Sequence, residues 1–298
     1  MSPRAIPVLL KETCFGWYAD RGPRLGAALA FYTLFSLAPL LMIIIAIAAL
    51  AFGREIAYTQ LIQQVEAFIG AEGARVVQAT IENTSRPRSG IVATLIGLAT
   101  MLFGATVVFS ELQDALNTIW RVAPKPGRSM AIGIIRERFL AFSMVLGIGV
   151  LLLISIIANT MLNATMQIFG DILPKQVNWL RTANFGFSLL IVTLLFTMLY
   201  KVLPDVVIGW EEVVIGAVVT ALLFMLGKYL IELYLGYNTA ASVYGAAASL
   251  VILLMWIYYS AQIFYFGAEF TKVYAKHRGR RVVPTEERAS VAQEGRSE

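Results

Sequence analysis

The chain has 298 residues, of which 58% are hydrophobic and only 14% charged, with a mean hydropathy of +0.71. That balance excludes an ordinary soluble domain and points to a polytopic, all-α membrane protein. The formal charge of +5 comes with one cysteine, Cys14, and one histidine, His277. These counts exclude an internal disulfide framework, a zinc-ligand cluster, and a Ser/His/Asp or Cys/His catalytic set in the membrane domain.

Residues 1–24 lack a long apolar core and a small-residue cleavage site, so no removable signal peptide is expected. Leu9, Leu10, Phe15, Trp17 and Tyr18 among Arg4, Lys11, Arg21 and Arg24 predict a short helix lying at the membrane interface. Gly26–Phe52 then holds 27 residues without a formal charge, more than the roughly 20 that cross a bilayer core as a helix. The first span is placed at 25–52. Its first half carries Tyr32, Thr33, Ser36 and Pro39, and its second half is aliphatic. Pro39 cannot donate to the carbonyl of Phe35, which predicts a kink, with Ser36 near the freed backbone groups.

The polar connection 53–89 repeats Leu61, Ile62, Val65, Phe68 and Ile69, then Val76, Val77 and Ile81, at helical spacing. This predicts two amphipathic helices broken near Gly70–Gly73. The second span, 90–109, runs on into a helical stripe bearing Glu111, Gln113, Asp114 and Asn117, and stops near Trp120. Further spans are expected at 139–161, 184–203, 213–235 and 243–270. The domain plan is an N-terminal segment 1–24, a six-helix membrane domain 25–275, and a basic then disordered tail 276–298. Six spans put both termini on one side. That side carries more than twice the Lys and Arg of the other, whose six are Arg54, Arg75, Arg86, Arg88, Lys175 and Arg181. The positive-inside rule therefore predicts a multi-pass protein of the bacterial inner membrane with cytoplasmic termini.

Ionisable groups inside spans cost about 2.5–3.5 kcal/mol on insertion scales, so each asks for a partner or a purpose. Lys228 and Glu232 are four apart on the fifth span, close enough to pair on one face, though Lys228 snorkelling outward and Glu232 among outer headgroups is the alternative. Gln262 and Glu269 on the sixth span, Tyr32 and Ser36 on the first, and Glu111 and Asp114 beyond the second fall at one depth. They are candidates for a cavity open to the cytoplasm, with Arg138 or Lys272 as counter-charge. An interfacial network that only fixes helix ends is the competing reading. Ala241, Gly245 and Ser249 form a small-residue face for close helix contact, which leaves room for a homo-oligomer. No nucleotide-binding glycine motif and no defensible metal-ligand spacing are present, so no cofactor or metal is expected. The basic run Lys276–Arg281 reads as a tether to anionic lipid headgroups, not a nucleic-acid site.

Five stretches resemble the YihY/BrkB family of bacterial inner-membrane proteins: AALAFYTLFSLAPLL (27–41), LFGATVVFSELQDALNTIW (102–120), LYKVLPD (199–205), TALLFMLGKYLIELYLG (220–236) and SVYGAAASLVILLMWIYYSAQIFYFGAEFTKVYA (242–275). The resemblance implies six transmembrane helices with cytoplasmic termini, and links to envelope properties: serum resistance in one branch, movement of a lipid A precursor in another. Some members carry the label ribonuclease BN, but the resemblance brings no catalytic residues. The leading expectation is a non-enzymatic transporter or flippase-like carrier of a lipid or lipid-like envelope precursor. A structural scaffold without transport is the alternative, and a membrane-anchored ribonuclease is the third reading.

Overall fold

A computed structural model describes residues 5–84, 107–122, 143, 147–151, 154, 157, 178–237, 248–279 and 283–284. The described chain is almost entirely helical. The first helix, α1 (Ala5–Ala19), is apolar on two faces. Leu9 is buried against Phe270, Val273 and Tyr274 of the last helix, while Val8, Phe15 and Tyr18 are exposed. The buried Thr13 hydroxyl donates to the Leu9 carbonyl at 2.7 Å, so its burial leaves no orphaned donor. Arg21, in the left-handed region at φ 58°, turns the chain into α2 (Gly22–Phe52), with Pro23 in its first turn where a missing N–H costs nothing. The backbone of α2 is helical through Pro39.

Gly53, at φ 81° and ψ 157°, separates α2 from α3 (Arg54–Thr84). The backbone of α3 is helical throughout, yet the helix is not a straight rod. Tyr58 donates its hydroxyl to Glu82 at 3.1 Å, and Leu61, Val77 and Ile81 share a cluster with Ile45 of α2. In a straight helix Tyr58 and Glu82 would be ~36 Å apart. α3 therefore doubles back with its pairing centred on Gly70, while its backbone is assigned as one helix without the break expected near Gly70–Gly73.

α4 (107–120) packs beside α5 (Asn178–Val202), which leads through a short turn to β1 (Val206–Val207) and then α6 (Trp210–Tyr237). α7 (Ala248–His277) closes the bundle, with Gly279 at φ 69° just past its end. β2 (Val283–Pro284) pairs antiparallel with β1, setting Val206 opposite Pro284 and Val207 opposite Val283. The boundary expected at 275/276 thus falls inside α7, and the tail is helical to His277 and paired at 283–284. Residues 285–298 lie outside the described residues.

Three described helices are long and apolar enough to cross a membrane: Phe185–Val202, Trp210–Ile231 and Val251–His277. They overlap the stretches expected at 184–203, 213–235 and 243–270, the last beginning at Val251 and running to His277. The expected second span is described only from 107, and the third only at 143, 147–151, 154 and 157. The core gathers at one end of the bundle. Leu116, Ile119 and Trp120 of α4, Phe196 and Tyr200 of α5, Val213 and Ala217 of α6, and Phe264 and Tyr265 of α7 form one cluster there. An aromatic chain runs through it from Tyr200 via Phe264 and Phe196 to Phe224 and Trp256, with centroids 5.1–6.2 Å apart.

α6 and α7 are antiparallel and interlocked. Thr271 fills the space a Cβ would need on Gly216, Thr220 does so on Gly267, and Tyr259 on Gly227. Thr220 and Thr271 donate to the carbonyls of Gly216 and Gly267 at 2.7 Å each, so both hydroxyls are satisfied within their own helix turns. The small-residue contact expected at Ala241, Gly245 and Ser249 lies outside the residues whose side chains are described.

Candidate functional site

The core end of the bundle also carries most of the described charge. Glu269 is buried at 1% exposure on α7, and Lys272, one turn on, approaches its carboxylate at 2.9 Å. The same ammonium donates to Asp20 at 2.9 Å, and Arg121 reaches Asp20 at 3.9 Å. A buried carboxylate is tolerable only with such a partner. Gly16 of α1 lets the Glu269 carboxylate lie against its backbone, since a Cβ at Gly16 would clash with it. Lys272 thus supplies the expected counter-charge, whereas Arg138 lies outside the described residues.

Two turns before Glu269 sits Gln262. Its Nε2 and Oε1 are both buried without a hydrogen-bond partner, with Nε2 held against Gly26 of α2. The indole Nε1 of Trp17 is likewise buried without a partner, packed on Gly22. Gly22 and Gly26 are four residues apart, so one face of α2 receives both groups. Gln262 and Trp17 line a cleft of about 550 Å³ between α1, α6 and α7, whose other walls are Cys14, Phe15, Tyr18, Leu223, Ile263 and Phe266. A second, apolar cavity of about 360 Å³ lies deeper, among Leu29, Leu112, Leu195, Phe224 and Ser260, and the Ser260 hydroxyl is buried there without a partner.

The remaining expected residues disperse. Ser36 is buried at 3%, while Tyr32 is 39% exposed and edge-on to Phe31 at 5.8 Å, and neither lines the cleft that holds Gln262. Lys228 is half-buried on α6, near the level of Tyr259. From the α6–α7 register that is ~15 Å further from the charged end than Glu269. The side chains of Glu232 and Pro39 lie outside those described.

Glu111 and Asp114 occupy α4 above the core. Burial raises the Glu111 carboxyl above its ordinary value, with the Asp114 charge adding to it. Asp114 is raised by partial removal from water and by Asp205. Asp205 itself is clamped: Gln113 and Asn117 donate to its Oδ2 at 3.2 and 3.1 Å, and its own N–H donates to Asn117 Oδ1 at 2.9 Å. Lys201 closes the same turn by donating to the Ile208 carbonyl and lying 4.9 Å over the Trp210 ring. Among the described residues no group of three His, Cys, Asp or Glu is placed to hold a metal ion.

Sequence reasoning missed Asp20, Trp17 and the Asn117–Asp205 clamp. The glycines at 16, 22 and 26 were the available signal, because small residues beside aromatic and charged ones mark where polar groups approach a backbone.

The profile of the family described as Virulence factor BrkB matches residues 15–292. Similar proteins include a UPF0761 membrane protein of Azotobacter vinelandii, 27% identical over 267 residues (88% of this chain, 62% of the relative). Another, from Pseudomonas aeruginosa, is 29% identical over 260 residues (84% and 58%), and one from Yersinia enterocolitica is 31% identical over 198 residues (63% and 61%). The chain spans about three-fifths of the length of these relatives. No solved structure matches.

Proposed function

This chain belongs to the Virulence factor BrkB family and is a membrane protein, and on that premise we propose that it is an inner-membrane carrier moving a lipid or lipid-like envelope precursor, without catalysing a reaction. The observation that carries this reading is the cleft of about 550 Å³. Its walls are apolar, the amide of Gln262 is buried in them, and the Glu269–Lys272–Asp20 charges lie two turns further along α7. A concave, mostly apolar site with a few convergent polar groups is the usual form of a small-ligand pocket. An amphipathic molecule suits it better than a sugar, whose hydroxyls would find too few partners.

The charged end is the cytoplasmic one in this reading, with α1 lying in the inner interface. The excess of Lys and Arg on that side supports the orientation. With no nucleotide-binding motif in the sequence, movement is passive, ion-coupled or driven by a partner. The buried Glu269–Lys272 pair is the part of the carrier suited to respond to its occupant, because it couples α7 to α1 through Asp20.

The test is lipid movement in proteoliposomes holding a headgroup-labelled lipid, read by quenching the outer leaflet with an impermeant reductant. The purified protein should speed exchange between leaflets, and Glu269→Gln should slow it at equal protein incorporation. Exchange no faster than in empty liposomes, with the protein folded, would favour the scaffold reading instead.

A further inference from the structure

The path of α1 over α7 decides how the N-terminal arm lies against the membrane. Leu9 of α1 packs on Phe270, Val273 and Tyr274, and Asp20, just past the other end of α1, is bound by Lys272 at 2.9 Å. Leu9 and Asp20 are ~16 Å apart along α1, yet their partners share one turn of α7. α1 therefore crosses α7 instead of running along it. Since α7 is long and apolar enough to cross a membrane, a helix laid across it lies close to the membrane plane. The crossing is ~8 Å short of the end of α7 at His277, which is interfacial depth.

The outer face of α1 has the composition that this depth demands. Val8, Leu10, Phe15 and Tyr18 are 42–75% exposed, and Cys14 is exposed with them. Lys11 is the one charged residue exposed on α1 among those whose side chains are described. The acidic Glu12 and the hydroxyl of Thr13 are on the covered side, the reverse of a helix that meets water. Acyl chains receive such a face at no cost, and water does not.

Where α1 ends, the charge changes. Arg21 and Arg24 are exposed, and neither side chain has a hydrogen bond or ion pair among the described residues. Asp20 cannot neutralise them, because Lys272 and Arg121 already approach it at 2.9 and 3.9 Å. The uncharged run Gly26–Phe52 begins two residues past Arg24, so these guanidinium groups stand at the border of the apolar core. Phosphate oxygens are the anions found at that level, and a guanidinium fork matches them with two parallel hydrogen bonds.

We propose that α1 lies flat in the leaflet at the charged end of the bundle, its outer face among acyl chains, and that Arg21 and Arg24 form a site for the phosphate of an anionic phospholipid. The inference takes only the membrane orientation from the function proposed above. It does not require that any lipid be moved.

Leu10→Cys and Tyr18→Cys, each in full-length Cys14→Ser protein, are labelled with a nitroxide in nanodiscs of phosphatidylcholine and phosphatidylglycerol. Depth is read from collision with oxygen against collision with a water-soluble nickel chelate. Both labels should favour oxygen and lie at equal depth, whereas a helix standing upright would separate them by ~12 Å. Labels reached mainly by the chelate, or depths that differ by that amount, overturn the placement. Spin-labelled phosphatidylglycerol and phosphatidylcholine are then compared at the protein boundary, where the unmutated chain should hold phosphatidylglycerol several-fold more strongly. Arg21→Gln/Arg24→Gln should remove that preference with the label depths unchanged, and Arg21→Lys/Arg24→Lys should retain most of it. Equal retention of the two lipids by the unmutated chain, or a preference that survives the glutamine pair, overturns the phosphate site. Neither readout involves exchange between leaflets, so this placement and the carrier reading can each fail without the other.

Discussion

Thr220 sits in the notch left by Gly267: its hydroxyl and that of Tyr200 occupy the space that a Cβ on the glycine would require. Tyr200 is anchored by donating to the Phe264 carbonyl at 2.7 Å, and Thr220 by donating to Gly216, so neither can retreat without losing a bond. Gly267→Ala gains about 1 kcal/mol of helix propensity but overpacks the contact at about 1–3 kcal/mol, so a net loss of stability is expected. Thermal unfolding of the detergent-purified protein should show a lower Tm, and Thr220→Ala in the same chain should recover part of it. Full tolerance of Gly267→Ala would mean the helices are further apart than described.

Gly53 fails for a different reason when substituted. A Cβ there meets nothing within 4 Å, so any penalty comes from the backbone alone. With φ 81° and ψ 157°, the residue occupies a region that is nearly glycine-only, costing about 1–3 kcal/mol for other residues. Gly53→Ala should therefore lower Tm with no compensating variant elsewhere. Equal stability of Gly53→Ala and wild type would rule out this turn.

The reversal within α3 is open to cross-linking. In a Cys14→Ser background, Tyr58→Cys and Glu82→Cys together should be joined by a short bifunctional maleimide, since the native side chains meet tip to tip at 3.1 Å, a separation of backbones that suits a spacer better than a direct disulfide. A straight helix would hold the pair ~36 Å apart and give no cross-link.

Lys272 and Glu269 are expected to respond unequally to mutation. Lys272→Met leaves Glu269 buried without its ammonium, a loss of the kind that costs about 3–5 kcal/mol. Glu269→Gln leaves Lys272 its bond to Asp20 and 22% side-chain exposure, and should cost less. The double variant Lys272→Met/Glu269→Gln should be more stable than Lys272→Met. Chemical denaturation of the three variants orders them directly, and equal losses would contradict the buried pair.

Glu111 and Asp114 carry a pH dependence with a definite sign. Both are raised in the folded protein, so their neutral forms are favoured there. Their contribution is fully present below the unfolded values near 4 and is lost as pH rises through the folded values. Glu111→Gln and Asp114→Asn should each raise Tm at pH 7 and change it little near pH 4. A fall in Tm at pH 7 would show that the charged forms are stabilising.

Hydropathy and period placed α5, α6 and α7, because an uncharged run of span length has few other uses. Lys272 was recognisable beside Glu269 because three residues on a helix are one turn. Asp20 was not, since it comes to Lys272 across 252 residues, and Asn117 meets Asp205 across 88. Such pairings depend on how helices dock, which local pattern does not record. Tyr32 misled for a related reason: it shares a helix face with Ser36 by spacing, but only Ser36 is covered by neighbours. The strand pair at Val206 and Pro284 is two residues long, too short to leave a periodic trace.

The reciprocal seating of Thr220 on Gly267 and Thr271 on Gly216 makes α6 and α7 a ratchet with no free tooth. Sliding by one turn in one direction would set Thr220 against Thr271, and in the other Gly216 against Gly267. The two therefore travel as a single rigid body. α1 is joined differently: it meets α7 through the Leu9 contact, the Asp20–Lys272 ion pair and the approach of His277 to Glu12 at 3.7 Å. Arg21, in the left-handed region at φ 58°, joins α1 to α2. The N-terminal arm is held to the bundle by side-chain contacts, without the reciprocal threonine–glycine seating that locks α6 to α7.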